Sequence, residues 1–193
     1  MMTDRNFTLF DTAIGRCGLV WGERGIAGVQ SPGPTEAATL ARLKRRFPNA
    51  REATPPASVQ RAIDGIVALL AGGRADFSDT VLDLDGVPEF NRRVYAIART
   101  IPPGETMTYG EIATRLGDRL AARDVGTALG QNPVPLIVPC HRVLAAGGKT
   151  GGFSAPGGVR TKLKLLSIEG ARLNDEPGLF DTLPLVARPK GRR

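Results

Sequence analysis

The chain has 193 residues, with 26 Lys+Arg against 19 Asp+Glu, a formal charge of +7 and a sequence pI near 10.1. Two cysteines, Cys17 and Cys140, and one histidine, His141, are too few to close a four-ligand zinc site, and they do not form the framework of a small disulfide-rich secreted domain. No apolar run reaches the ~18 residues of a membrane span, and MMTDRNFTLFDTAIG lacks the succession of a signal peptide, so a cytoplasmic protein with no membrane, metal or cofactor is expected.

The short apolar stretches at 7–13, 17–22 and 25–30 read as an antiparallel meander, with turns at Gly15-Arg16 and Glu23-Arg24. Thr35 and Glu36 open a helix carrying Ala38, Leu40, Leu43 and Phe47, which Pro48 stops. A second helix is expected at about 58–70, with Ile63, Ile66, Val67 and Leu70 at helical spacing, and 81–86 is a further strand candidate. After Gly86 helices dominate. Residues 89–101 put Phe90, Val94, Ile97 and Ala98 on one face. Thr108 and Glu111 form a capping box ahead of a short helix with Tyr109, Ile112, Ala113 and Leu116 on one side. A further helix at about 121–129 turns Ala121, Val125, Ala128 and Leu129 inward, and the pair, joined across Gly117, has helix-turn-helix spacing. The last helix, 159–168, is expected to bury Val159, Leu163 and Leu166 and to turn Arg160, Lys162 and Lys164 outward, ending at Glu169-Gly170. The Pro- and Arg-rich tail, 176–193, is expected to be disordered.

The fold class is therefore α+β: a small N-terminal antiparallel sheet with helices over 1–85, then a mainly helical, winged-helix-like domain with a helix-turn-helix over 86–175. Charge divides at the same place. Residues 1–85 carry 10 Lys+Arg and 10 Asp+Glu, whereas 86–193 carry 16 and 9, so the whole excess lies in the second part. A basic half beside a neutral one suits a polyanionic partner, and a solvated Arg-rich surface is the bland alternative.

Arg123, Gly126, Thr127 and Gly130 share a stripe on the outer face of the 121–129 helix. Two glycines there cost roughly 1 kcal/mol each against Ala. Either the bare face approaches a nucleic-acid groove, or the glycines pack against a neighbouring loop; the stripe leaves both open. Further on, NPVPLIVPCHRV ends an apolar run in a Pro-fixed turn that presents Cys140, and a Gly-rich loop, 147–158, follows with no periodicity of its own. A nucleophilic thiol needs a base or a positive environment, and His141 can serve if a carboxylate such as Glu169 holds it. Adjacent side chains do not usually face each other, so either a water bridges the pair or the two share one shell. The bland alternative is a small buried cysteine beside a core histidine.

The string NPVPLIVPCHRV, followed by GGFS and an EG pair closing a helix, resembles the O6-alkylguanine-DNA alkyltransferases, also called methylated-DNA–protein-cysteine methyltransferases. The resemblance is close over about 89–173 and looser over FTLFDTAIGRCGLVWGERGIAGVQ. It implies that Cys140 accepts the alkyl group, that His141 draws off its proton through a water, that Glu169 orients His141, and that Asn132 supports the active-site turn. Tyr109 would donate to the base and its 3′ phosphate. Arg123 would occupy the base stack in place of the extruded nucleotide, with Gly126, Thr127 and Gly130 along the same minor-groove face. Ser154 would offer a backbone N–H to guanine O6, the carbonyls of Cys140 and Val143 would accept from the exocyclic amine, and Phe153 would wall the pocket.

Some positions depart from the family pattern. Phe153 lacks the hydroxyl of the tyrosine some members carry, Ala155-Pro156 lengthen the loop, and the zinc site of some N-terminal domains cannot form with one His and two Cys. A cysteine-rich extra domain for phosphotriester sensing is not implied, and Cys17 reads as structural. The resulting expectation is a monomeric, single-turnover DNA-repair methyltransferase. It would act on double-stranded DNA carrying O6-alkylguanine, possible O4-alkylthymine included, after minor-groove binding and base flipping. The alternatives are a non-catalytic lesion-recognition protein and a thiol hydrolase.

Overall fold

A computed structural model describes residues 4–171. Strands Asn6–Thr12 (β1), Gly15–Gly22 (β2) and Gly25–Gln30 (β3) form the expected meander, and Arg51–Glu52 (β4) adds in parallel to β1, giving the order β3-β2-β1-β4. Gly25 has φ +125°, and a Cβ there would come within 2.5 Å of the Val81 carbonyl, so the β2–β3 reversal requires glycine. The first reversal lies elsewhere than expected. Gly15 and Arg16 belong to β2, pairing with Thr12 and Asp11, and the turn is made by Ala13 and Ile14.

Alternate residues of the sheet enter two different cores. Phe7, Val20 and Ala27 pack with Leu43 of helix α1 (Glu36–Arg46), whose N-cap Thr35 accepts from the Ala38 N–H. Cys17, Leu19, Trp21, Ile26 and Val29 face the other way, onto Val59, Ile63, Ile66 and Leu70 of α2 (Ala57–Leu70). The expected strand at 81–86 reduces to a single bridge between Leu82 and Ile26. Its aspartates take other partners. Asp83 accepts from Arg5 (3.3 Å) and from the Asp85 N–H (3.2 Å), while Asp85 accepts from Arg24 (2.9 Å), which turns the backbone away from a ladder.

The core beneath α2 continues without a break into the second part of the chain. Helix α3 (Glu89–Ala98) is shorter than expected and buries Asn91, Val94, Tyr95 and Ala98, leaving Phe90 and Ile97 half-buried. Tyr95 donates its hydroxyl to the Ala128 carbonyl (2.8 Å), tying α3 to the helix that carries Arg123. Helix α4 (Tyr109–Arg115) starts from the capping box, with both reciprocal bonds of Thr108 and Glu111 present. A 3-10 turn, Arg119–Ala121, leads into α5 (Ala122–Gly130), which buries Val125, Ala128 and Leu129. Strands Met107–Thr108 (β5) and Val143–Leu144 (β6) pair in parallel and bring the start of α4 beside Cys140. Helix α6 (Val159–Ile168) closes this part. Among the described residues no helix is long and apolar enough to cross a membrane. The tail, 176–193, lies outside the described residues.

Candidate active site

The segment that presents Cys140 is shaped by prolines and one asparagine. Pro133, Pro135 and Pro139 deny it the N–H groups of a helix or ladder. Asn132 supplies replacements: its Nδ2 donates to the Val138 carbonyl (2.8 Å) and its Oδ1 accepts from the Val134 N–H (3.0 Å). Inside this ring Leu136 holds φ at 75°, a conformation costing a non-glycine residue about 1–3 kcal/mol. The buried side chains of Val134, Leu136, Ile137 and Val138 hold it in place. Pro139 then passes the chain into a 3-10 turn, Cys140–Arg142, closed by the Arg142 N–H donating to the Pro139 carbonyl (2.9 Å).

Behind the turn lies a buried cluster of charge. His141 Nε2 sits 2.9 Å from Glu169 Oε1. Arg142 grips the same carboxylate twice, Nε to Oε2 at 2.9 Å and Nη2 to Oε1 at 2.8 Å, and its Nη1 donates to the Ile101 carbonyl at 2.6 Å. Burial would raise the Glu169 carboxyl, but hydrogen bonds from His141 and Arg142 and their charges outweigh it and hold it at about 2. An ionised carboxylate only accepts, so His141 must carry its proton on Nε2. Burial, together with the charges of Arg142 and Lys162, keeps the imidazole neutral against the pull of Glu169. Nδ1 is left with a free lone pair, buried and without a protein partner.

The thiol lies on the floor of a cleft of about 540 Å³ and keeps only 8% of its residue surface accessible. Burial raises the Cys140 thiol, and the Asn132 side chain, the Lys162 ammonium and the backbone N–H groups of Cys140 and His141 counter that rise only in part. Lys162 has no exposed surface. Its Nζ donates to the Val143 carbonyl (2.6 Å) and reaches the Gly152 carbonyl (3.4 Å), and it lies 5.7 Å from the centre of the Tyr109 ring. Burial pushes this ammonium down to about 8 against the upward pull of Cys140. The Tyr109 phenol is raised, by burial first and by Cys140 second, and so stays a proton donor at neutral pH. Gly151, at φ +68°, lies against this ring; a Cβ would come within 2.9 Å of it.

A family described as 6-O-methylguanine DNA methyltransferase, DNA binding domain, matches residues 89–171. The methylated-DNA–protein-cysteine methyltransferase of Methanothermobacter thermautotrophicus is 36% identical over 159 residues, covering 82% of this chain and 82% of that protein.

The chain belongs to the methylated-DNA–protein-cysteine methyltransferase family.

The Mycobacterium bovis member of this family is 45% identical over 126 residues, 65% of this chain and 74% of its own length. The crystal structure of Mycobacterium tuberculosis O6-methylguanine methyltransferase superposes with a TM-score of 0.68 at 35% identity, covering 92% of this chain and 99% of that one. The structure of Mycobacterium tuberculosis OGT in complex with DNA gives 0.68 at 36% identity, covering 86% and 92%.

In this methyltransferase, Cys140, His141, Glu169 and Asn132 come together from a turn, a loop and the end of α6. Tyr109, Phe153 and Ser154 line the cleft beside Arg123, Thr127 and Gly130. Gly126 lines the same cleft, and both stripe glycines leave room for a side chain: a Cβ on Gly126 would rest in ordinary contact 3.8 Å from the Tyr109 ring, and one on Gly130 would meet nothing within 4 Å. Val143 is buried, and its carbonyl already accepts from Lys162.

The inner face of α6 differs from the expected one. Val159 is 37% exposed and Leu163 half-buried, whereas Lys162, Leu165 and Leu166 are buried. Apolarity chose the wrong stripe because the helix buries a cation. The correct stripe was marked by Glu169, since 162, 165, 166 and 169 recur at helical spacing. Arg142 was missed too, although it stands inside PCHRV; its role depends on a carboxylate 27 positions away.

Proposed function

We propose that this chain repairs O6-alkylguanine in double-stranded DNA by moving the alkyl group irreversibly to Cys140 Sγ. The observation that carries the reading is the neutral His141 held by Glu169 with its Nδ1 lone pair free, immediately behind a thiol at the base of the cleft. The O6 substituent lies inside the duplex, so the nucleotide must leave the stack before it can reach Cys140, at a few kcal/mol of unstacking.

His141 Nδ1 takes the thiol proton through a water. The thiolate forms the S–C bond as the C–O6 bond breaks, and the electron pair returns to guanine. Tyr109, kept as a phenol, donates toward the base so that guanine leaves neutral, and the imidazolium proton restores the balance. The thioether has no second nucleophile to release it, so one protein is consumed per lesion. Ser154 N–H, the Cys140 and Val143 carbonyls and Phe153 hold the base; Arg123, Gly126, Thr127 and Gly130 face the minor groove. A carbonyl has two lone pairs, so Val143 serves both Lys162 and the exocyclic amine. In this reading 86–171 bind and react while 4–85 support them, and the protein works as a monomer in the cytoplasm.

Incubation with a duplex carrying one O6-methylguanine, followed by peptide mass spectrometry, should show stoichiometric methylation of Cys140 and none in Cys140→Ser. Binding with Cys140 unmodified would instead identify a lesion-recognition protein, and multiple turnover a hydrolase. Arg123→Ala should lower transfer from the duplex by about 10-fold or more while affecting the free O6-alkylguanine base far less. Equal losses on both substrates would remove the placeholder role.

A further inference from the structure

Leu120 is 92% exposed, the most exposed large apolar side chain among the described residues, and no element of the chemistry above uses it. Its place is not accidental. It stands in the 3-10 turn at the head of α5, where Asp118 caps the turn by accepting from the Leu120 N–H at 2.9 Å. It precedes Arg123 by three positions and Thr127 by seven, so it extends the stripe that rims the cleft. Arg119 and Arg123, both exposed, flank it. Ala121 is buried and Ala122 half-buried, so no bulky neighbour screens it.

A lone leucine is too small a patch to dock a folded protein; exposed Arg119 and Arg123 stand beside it, and of the two exposed aspartates nearby, Asp118 is engaged in capping the turn and Asp124 lies one position beyond Arg123. The patch suits a surface that is polyanionic outside and apolar within, and the minor groove of DNA meets that description: phosphates along the rims, sugar C–H and base faces inside. Apolar wedges of this kind enter base steps in minor-groove binders. Three residues of helical rise span about 5 Å, against about 3.4 Å for one base step, so Leu120 lies between one and two steps from Arg123.

We propose that Leu120 is an apolar wedge that enters the minor groove about one to two base steps from Arg123 and rests against the pair next to the extruded nucleotide. The inference rests on α5 being the DNA-facing helix of the reaction proposed above. Arg123 then fills the vacated position and Leu120 keeps the neighbouring step open.

The test uses the full chain, Leu120→Ala and Leu120→Lys, with a duplex holding O6-methylguanine beside 2-aminopurine, and the free alkylated base as a second substrate. In Leu120→Ala the ratio of duplex to free-base transfer rates should fall five- to tenfold. The 2-aminopurine fluorescence rise on binding should shrink, with no change in the slope of log K against log[salt]. Leu120→Lys should steepen that slope by about one without restoring the fluorescence. A wild-type ratio in Leu120→Ala, with Arg123→Ala impaired, overturns the wedge and leaves the repair reading standing. Wild-type ratios in both variants overturn the wedge together with the assignment of α5, and lack of any alkyl on Cys140 identifies failure of the repair reading itself. Full rescue of ratio and fluorescence by Lys also overturns the wedge, since a phosphate contact would then suffice.

Discussion

Glu169→Gln is expected to slow alkyl transfer by about 10²- to 10⁴-fold and to destabilise the fold by about 3–5 kcal/mol. Both effects come from one carboxylate serving two cations. Its side chain is 2% exposed, and it accepts two bonds from Arg142 and one from His141. A neutral amide leaves the Arg142 guanidinium buried without a counter-charge, which is the costly way to break an ion pair. It also offers His141 either a donor or an acceptor, so the tautomer with Nδ1 bare is no longer imposed.

The acid dependence follows the same bond. The folded value of Glu169 is about 2 against an ordinary 4.5, so the folded state binds this proton less readily than the unfolded one. The stabilisation is therefore complete above about pH 4.5 and is lost as pH falls toward 2, an effect of about 3 kcal/mol. Urea unfolding of wild type and Glu169→Gln at a series of pH values should show their difference closing across that window. A constant difference from pH 7 to pH 2 would refute the assignment.

Lys162→Met is expected to lower transfer by about 10²-fold while changing stability at pH 7 by less than about 2 kcal/mol. The charge of the ammonium favours the Cys140 thiolate, and it ties the Val143 carbonyl to the Gly152 carbonyl of the loop. Met keeps the length and loses both. Stability is less affected because the buried charge is itself unfavourable. Its folded value is about 8 against an ordinary 10.5, so the folded state holds this proton less tightly and the burial cost is full below pH 8. That cost fades as pH rises from 8 to 10.5, so wild type should gain about 3 kcal/mol relative to Lys162→Met over that interval. Chemical denaturation at pH 7 and pH 10 reads the stability change, and transfer from the free base reads the rate. Wild-type transfer in Lys162→Met would confine Lys162 to a structural role.

Local rules carried the elements with local causes. The capping box at Thr108 and Glu111, the Thr35 cap and the turn at Glu23-Arg24 depend on neighbours a few positions apart, and they stand where the spacing places them. The 81–86 strand is cut to one bridge where the Asp83 carboxylate accepts the Asp85 N–H, with Arg5 and Arg24, far away in the chain, holding the two aspartates in place. Arg51–Glu52 shows no strand signal at all; it is two exposed charged residues recruited by the free edge of β1.

Cys140, His141, Glu169 and Asn132 were legible because PCHRV and its flanks are a rare string and the chain holds one histidine, so few other pairings existed. The α+β class, the division of charge and the candidate nucleophile were all present in the order of residues. The partner of Arg142 and the burial of Lys162 were not. Each depends on which side chains meet across long chain separations, and periodicity reports only which residues share a face. A buried cation reads as polar in any pattern of apolar positions; only the surrounding carbonyls, carboxylate and thiol, assembled by the fold, show why it is inside.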